Sequence, residues 1–124
     1  MAEVNDINQS EWPTNWDAVM AAPKNHGVLW EDEAVRVLEV SVEPGEREQL
    51  HHHQWPSLMV VLSRPEYVNY DASGNEIGPA VALPADPVLP VAARLPPQRA
   101  HFVEVPASEQ RRLHAIRVEF KKPC

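Results

Sequence analysis

The sequence predicts an all-β fold, an antiparallel sandwich or barrel with a short N-terminal helix. Three observations lead there. About eight runs of apolar and β-branched residues recur at roughly 8–12-residue intervals, the rhythm of strands in sandwiches and barrels. Thirteen prolines stand against four glycines, and proline breaks helices and central strands while setting firm corners. Helical periodicity shows only once, near the start, where Trp16, Val19 and Met20 fall at i, i+3 and i+4.

That helix is expected to open at Thr14-Asn-Trp-Asp17, read as a capping box, and to run to about Ala22 before Pro23 stops it. It should lie across the outside of a sheet with Trp16 buried. The ten residues before it are polar and expected to be loose. Strands follow. Val28–Trp30 is short, and Ala34–Val42 is rich in β-branched residues and apolar on both faces, as between two layers. Glu43-Pro-Gly-Glu46 is a turn, with glycine where positive φ is cheap. Strands are then expected at Glu48–His53, Leu58–Leu62 and Tyr67–Asp71, with a hairpin turn at Ala72–Asn75. Ile77–Leu83 continues the pattern, and no element is assigned to Pro84–Pro90. His101–Val105 and a long final strand, Arg111–Phe120, complete the set. Residues 1–24 read as an N-terminal extension and 25–121 as one barrel domain.

A chain of 124 residues has room for one core and not two. Its 44% hydrophobic content and net charge of −7 fit a folded, water-soluble domain. The acidic balance argues against nucleic acid and anionic membrane as partners, because both need a basic surface. No apolar run reaches the ~20 residues of a membrane span, and the first residues lack a basic region followed by an apolar one. The single cysteine, Cys124, has no partner for an internal disulfide, which fits a cytoplasmic setting. The acid pairs Glu31/Glu33 and Glu46/Glu48 flank turns and read as solvated edges.

Three consecutive histidines, 51–53, stand in the middle of this acidic chain. On a strand, side chains alternate faces, so His51 and His53 share one face and His52 takes the other. Two imidazoles two residues apart are roughly 7 Å apart at Cα, close enough for both rings to reach one ion about 2 Å from each. Gln49 shares their face by the same alternation and can donate to a bound ligand. His52 is expected to look to solvent or pack against the outside. A third ligand must come from elsewhere, and His101, after the corner Pro96-Pro-Gln-Arg-Ala-His101, is the best placed. His114 shares a face with Ile116, Val118 and Phe120 and reads as a core histidine, while His26 sits in a loop with no visible partner. Arg99, two residues before His101, shares its face by alternation and can clamp a carboxylate. Trp55 can wall the pocket; Tyr67 reads as packing.

Glycine and histidine spacing here resembles the cupin family. Gly45 is followed, after five residues, by the His51-His52-His53 run that matches the first cupin motif, and Pro96, Gln98, His101 and Val105 occupy the places of the second. The opening "NHGVLWEDEAVRVLEVSVEPGE" and the ending "LHAIRVEF" are similar to small single-domain cupins, over about residues 25–121. The resemblance implies a double-stranded β-helix, a jelly-roll-like barrel. The departures matter. The glutamate position of the first motif falls at Ser57, or at Leu58 in the longer spacing, and the second-motif glycine is Gln98. The implied ligand set is therefore His51, His53 and His101 without the carboxylate.

Three neutral imidazoles leave a divalent ion with its full charge and open positions, so the expected ligand is a small organic anion. The resemblance implies iron(II) as the preferred metal and a non-haem oxygenase as the reaction; zinc, nickel, copper and manganese are the alternatives. Gln49 and Arg99 are the candidate residues acting beside the metal. A binding module without catalysis, and a metal-assisted isomerase or lyase, are the competing readings. A homodimer is expected, with Trp12, Trp16 and Trp30 as apolar contact material.

Overall fold

The computed structural model describes residues 12–84 and 87–122. The N-terminal residues expected to be loose, and Cys124, lie outside the described residues. Among the described residues, nine strands make two antiparallel sheets: β1 (His26–Glu31), β2 (Val35–Val42), β3 (His51–His53), β4 (Ser57–Ser63), β5 (Val68–Asp71), β6 (Glu76–Ile77), β7 (Val91–Leu95), β8 (Gln98–Glu104) and β9 (Leu113–Phe120). One sheet runs β1-β2-β9-β4-β7 and the other β3-β8-β5-β6. This is the expected all-β jelly-roll, with neighbours in each sheet that are mostly distant in sequence.

Alternation builds the interior. Along β2 the buried positions are Arg36, Leu38, Val40 and Val42, and along β9 they are Leu113, Ala115, Arg117 and Glu119. β2 therefore buries one face fully and not two, contrary to the sequence expectation: Val35, Val37, Glu39 and Ser41 are only half-covered. Register aligns these residues into rows across the sheet. Arg36 pairs with Glu119 and Glu119 with Ser57; Leu38 pairs with Arg117 and Arg117 with Met59; Val40 pairs with Ala115 and Ala115 with Val61. One end of the barrel interior is thus apolar, with Val42, Val103, Val105 and Leu113 clustered there. The other end is charged.

Gly45 and Gly74 hold φ of 82° and 84° at the two expected turns, a region where side chains with a Cβ are strained. At Gly45 the turn also runs close to the chain, since a Cβ there would lie 3.5 Å from that of Ala107. Elsewhere the boundaries moved. β3 holds only 51–53, not 48–53, and β6 only 76–77, not 77–83. β7 at Val91–Leu95 had no counterpart in the sequence reading. Its Val-Ala-Ala-Arg-Leu run is too weakly apolar to signal a strand until β4 supplies its ladder.

The N-terminal helix is shorter than expected and differently capped. A 3-10 turn at Thr14–Trp16 precedes α1 (Ala18–Ala21), and the cap is Asp17, whose side chain accepts from Val19 N–H at 3.1 Å. Trp16 is half-buried, and Asp17, Ala18 and Ala22 are the residues that α1 and its ends bury instead.

Candidate metal centre

β3 and β8 bring His51 and His101 together as cross-strand partners, and His53 pairs with Gln98. The register shift between the two pairs is a bulge in β8. It breaks the alternation, so Ala100 and His101 are both buried while Arg99 is exposed. Arg99 is therefore not an inward clamp. Gln49 is exposed too, because 49–50 precede the strand and its alternation does not reach back to them. Its backbone carbonyl has a role in place of its side chain, accepting from His51 at 2.7 Å. Gln98, at the place of the family's glycine, lines the cavity and leaves its Oε1 without a partner among the described residues.

His26 joins the group. It opens β1, is 2% exposed, and packs its ring 4.5 Å from that of His51 and 5.3 Å from that of His53. One ring nitrogen from each of His26, His51 and His53 lies within 4.8 Å of the others. His101 stands alongside, with ring centroids 4.7 Å from His51 and 5.7 Å from His53. By sequence alone His26 falls in a loop, since one residue at a strand mouth carries no periodicity. Only the pairing of His26 with Val40 points it inward.

All four rings are oriented the same way. The Nδ1–H of His26 donates to Ala22 O at 3.0 Å, that of His51 to Gln49 O at 2.7 Å, that of His53 to Glu119 Oε2 at 3.3 Å, and that of His101 to Asn69 Oδ1 at 2.8 Å. Asn69 is turned for this by donating its own amide to Gly78 O. These acceptors place the ring proton on Nδ1 and leave Nε2 as a bare lone pair, the arrangement that outer-shell partners give metal-binding histidines. The Nε2 atoms of His51 and His101 are buried and unpartnered among the described residues. Burial keeps all four rings neutral. It lowers His26 to about 4 and His101 to about 3, and holds His51 and His53 well below the ordinary value, with neighbouring imidazoles and Arg117 adding to the effect. Neutral imidazoles with inward lone pairs fit a divalent metal ion.

Two further charged residues face this cavity. The solvated edge expected at Glu48 is not found: the residue is 4% exposed. Its Oε1 accepts from Val103 N–H at 3.0 Å, and Oε2 lies 3.6 Å from His26 Nε2 and 3.9 Å from His51 Nε2. Burial pushes its carboxyl up to about 8, against the opposing pull of the Val103 amide. Arg117 is 2% exposed and lines the cavity. Its Nε and Nη2 have no hydrogen-bond partner among the described residues, with Glu119 Oε2 4.0 Å from Nε. The cavity, about 50 Å³, accommodates a few non-hydrogen atoms, and Tyr67 and Arg64 line it as well.

The remaining histidines lie elsewhere. His52 is buried beneath the N-terminal segment, donating to Pro13 O at 2.6 Å with Trp12 5.2 Å from its ring. His114 is not a core histidine: β9 alternation puts it on the outer face, where Nε2 meets Glu39 at 2.9 Å. Ser57 is buried with its hydroxyl unpartnered among the described residues, next to Glu119 on the neighbouring strand. Trp55 stacks on Arg36.

No protein-family model matches the chain, and no curated protein matches it. Solved structures do. A cupin domain from Bordetella pertussis Tohama I superposes with a TM-score of 0.58 at 18% identity, over 78% of this chain and 92% of that one. A sugar phosphate isomerase of the cupin superfamily from Silicibacter pomeroyi gives 0.47 at 20% identity over 91% and 68%. A polyketide cyclase from Streptomyces resistomycificus gives 0.49 at 13% identity over 98% and 81%. The likeness to the first, together with the two-sheet topology and the histidines in β3 and β8, makes this chain a cupin in fold.

Proposed function

We propose that this chain is a small metal-dependent cupin that holds a divalent ion at His51, His53 and His101, joined by His26, and acts as a non-haem iron oxygenase on a small organic anion. The observation that carries the reading is the pair of buried Nε2 atoms, on His51 and His101, that lack partners among the described residues while their Nδ1 atoms are engaged. Imidazole ligands suit iron, nickel, copper and zinc alike, and the resemblance to three-histidine cupin dioxygenases favours iron(II). When bound, iron(II) supplies the redox chemistry that activates dioxygen.

The chain's own residues set the rest. Arg117 offers guanidinium N–H groups that have no hydrogen-bond partner among the described residues, inside the barrel, where low dielectric strengthens a charge-assisted bond to a carboxylate or enolate. It takes the role first expected of Arg99. Met59, Val61 and Tyr67 give the cavity an apolar wall that keeps water from competing for that bond.

Metal analysis of untagged protein, followed by oxygen-uptake assays against a panel of small carboxylates, tests this. Near-stoichiometric iron with carboxylate-dependent oxygen consumption supports it. Zinc without oxygen uptake points to an isomerase or lyase, and no retained metal to a binding module. A homodimer in a cytoplasmic setting completes the proposal. Val28, Leu29 and Trp30 are 45%, 55% and 61% exposed on β1, an edge strand, and give a second copy an apolar rim to meet. A monomer at micromolar concentration in sedimentation would refute the dimer.

A further inference from the structure

The geometry points to Glu48 as the carboxylate ligand of this centre, supplied from just before β3 in place of the glutamate that Ser57 replaces. The inference rests on the metal reading above and adds to it. The acceptor of the His26 Nδ1–H is the carbonyl of Ala22, and that of the His51 Nδ1–H is the carbonyl of Gln49. A carbonyl only accepts, so each Nδ1 carries the ring proton and each Nε2 presents a lone pair. Glu48 Oε2 faces those two lone pairs at 3.6 and 3.9 Å. Three acceptors turned on one point are satisfied by a cation among them, or by a proton on Glu48.

The distances favour the cation. Two ligand atoms about 2.1 Å from a shared ion are ~3.0 Å apart at a right angle and ~4.2 Å apart when opposed. Both observed separations fall inside that span, and both exceed the length of an ordinary hydrogen bond. Glu48 is also held in place: its Oε1 accepts from Val103 N–H, and its own N–H donates to Val103 O at 2.9 Å. Oε2 is thereby aimed into the cavity. At Ser57 a carboxylate would stand beside Glu119 on the adjacent strand, a like-charge neighbour inside the barrel. Moving the carboxylate to Glu48 removes that clash. It also leaves a divalent ion with one unit of uncancelled charge, which matches a monoanionic ligand bridging to Arg117.

The test is titration of metal-free protein with Co²⁺ and Zn²⁺ under chelator competition, following affinity and the cobalt visible spectrum. Glu48→Gln keeps the volume and an acceptor for Val103 N–H. It should weaken Co²⁺ binding at least tenfold and shift the visible bands, as His51→Ala also should. Binding within twofold of wild type with an unchanged spectrum, while His51→Ala still loses the ion, would overturn the role of Glu48 and leave the metal reading standing. Failure of the wild-type protein to bind either ion would overturn both. Anomalous scattering from Co²⁺-soaked wild-type crystals needs no substitution. An ion within about 2.2 Å of Glu48 Oε2 supports the assignment, and one beyond bonding distance ends it.

Discussion

Asp17 and Arg36 meet through two hydrogen bonds of 2.9 Å, from Nη1 to Oδ2 and from Nη2 to Oδ1. Arg36 Nε donates at 2.6 Å to Glu119 Oε1, and the other oxygen of Glu119 accepts from His53. The residue that caps α1 is therefore three contacts from a candidate metal ligand. The last residue of the same segment, Ala22, orients His26. The N-terminal segment thus positions two of the four imidazoles. Removing one partner of a buried ion pair strands the other charge, at a cost of about 3–5 kcal/mol. Asp17→Ala should destabilise the protein by roughly that amount in urea unfolding. It should also weaken Zn²⁺ binding, which loss of a purely peripheral contact would leave unchanged.

Asn69 acts on His101 alone. Its Oδ1 holds the imidazole proton on Nδ1, and its amide is held by Gly78 O. Asn69→Leu removes that acceptor while filling the space. Loss of such an outer partner lowers metal affinity by about 10–100-fold. Isothermal titration with Zn²⁺ checks this, and unchanged affinity would remove His101 from the ligand set.

His26 and His114 separate interior from surface. His26→Ala should weaken Co²⁺ binding by roughly tenfold or more, comparable to the loss of an outer-shell partner or greater. His114→Ala breaks a half-exposed pair with Glu39 and should leave binding unchanged. Equal effects from the two substitutions would contradict the placement of the site.

The metal-free protein should be most stable near pH ~6.5. Below the ordinary imidazole value of 6.5 an unfolded chain protonates its histidines, but His26 and His101 resist until about 4 and about 3. Protons then favour the unfolded state, and stability falls as pH falls. Glu48 works the other way. Its folded value near 8, against an ordinary 4.5, means that the folded state holds an extra proton between those values. Stability from this group falls as pH rises through that window. Burial raises the Glu119 carboxyl as well; the four lowered imidazoles outnumber these two raised carboxyls, so the acid side dominates below about 6.5 and the carboxyls act above it. Thermal melts from pH 4 to 9 should show a maximum with decline on both sides. Glu48→Gln should flatten the alkaline decline and leave the acid decline unchanged.

The sequence by itself determined the fold class, most of the strands and the shared direction of His51 and His53, because those depend on local properties: alternation, β-branching and turn glycines; it named His101 as a companion, and the pairing of β3 with β8 is what sets that ring beside His51. Tertiary structure alone decided which other side chains meet them. His26 comes from the mouth of β1 through its pairing with β2, Arg117 from the inner face of β9, and Glu48 from an irregular segment that strand parity does not describe. Parity misplaced Gln49 and Arg99 for one reason: alternation holds only along a regular strand, and β3 begins after Gln49 while β8 bulges beside Arg99. A β-sheet sets its faces through hydrogen-bonded neighbours distant in the chain, so the identity of a barrel's interior is a property of register, which no local window contains.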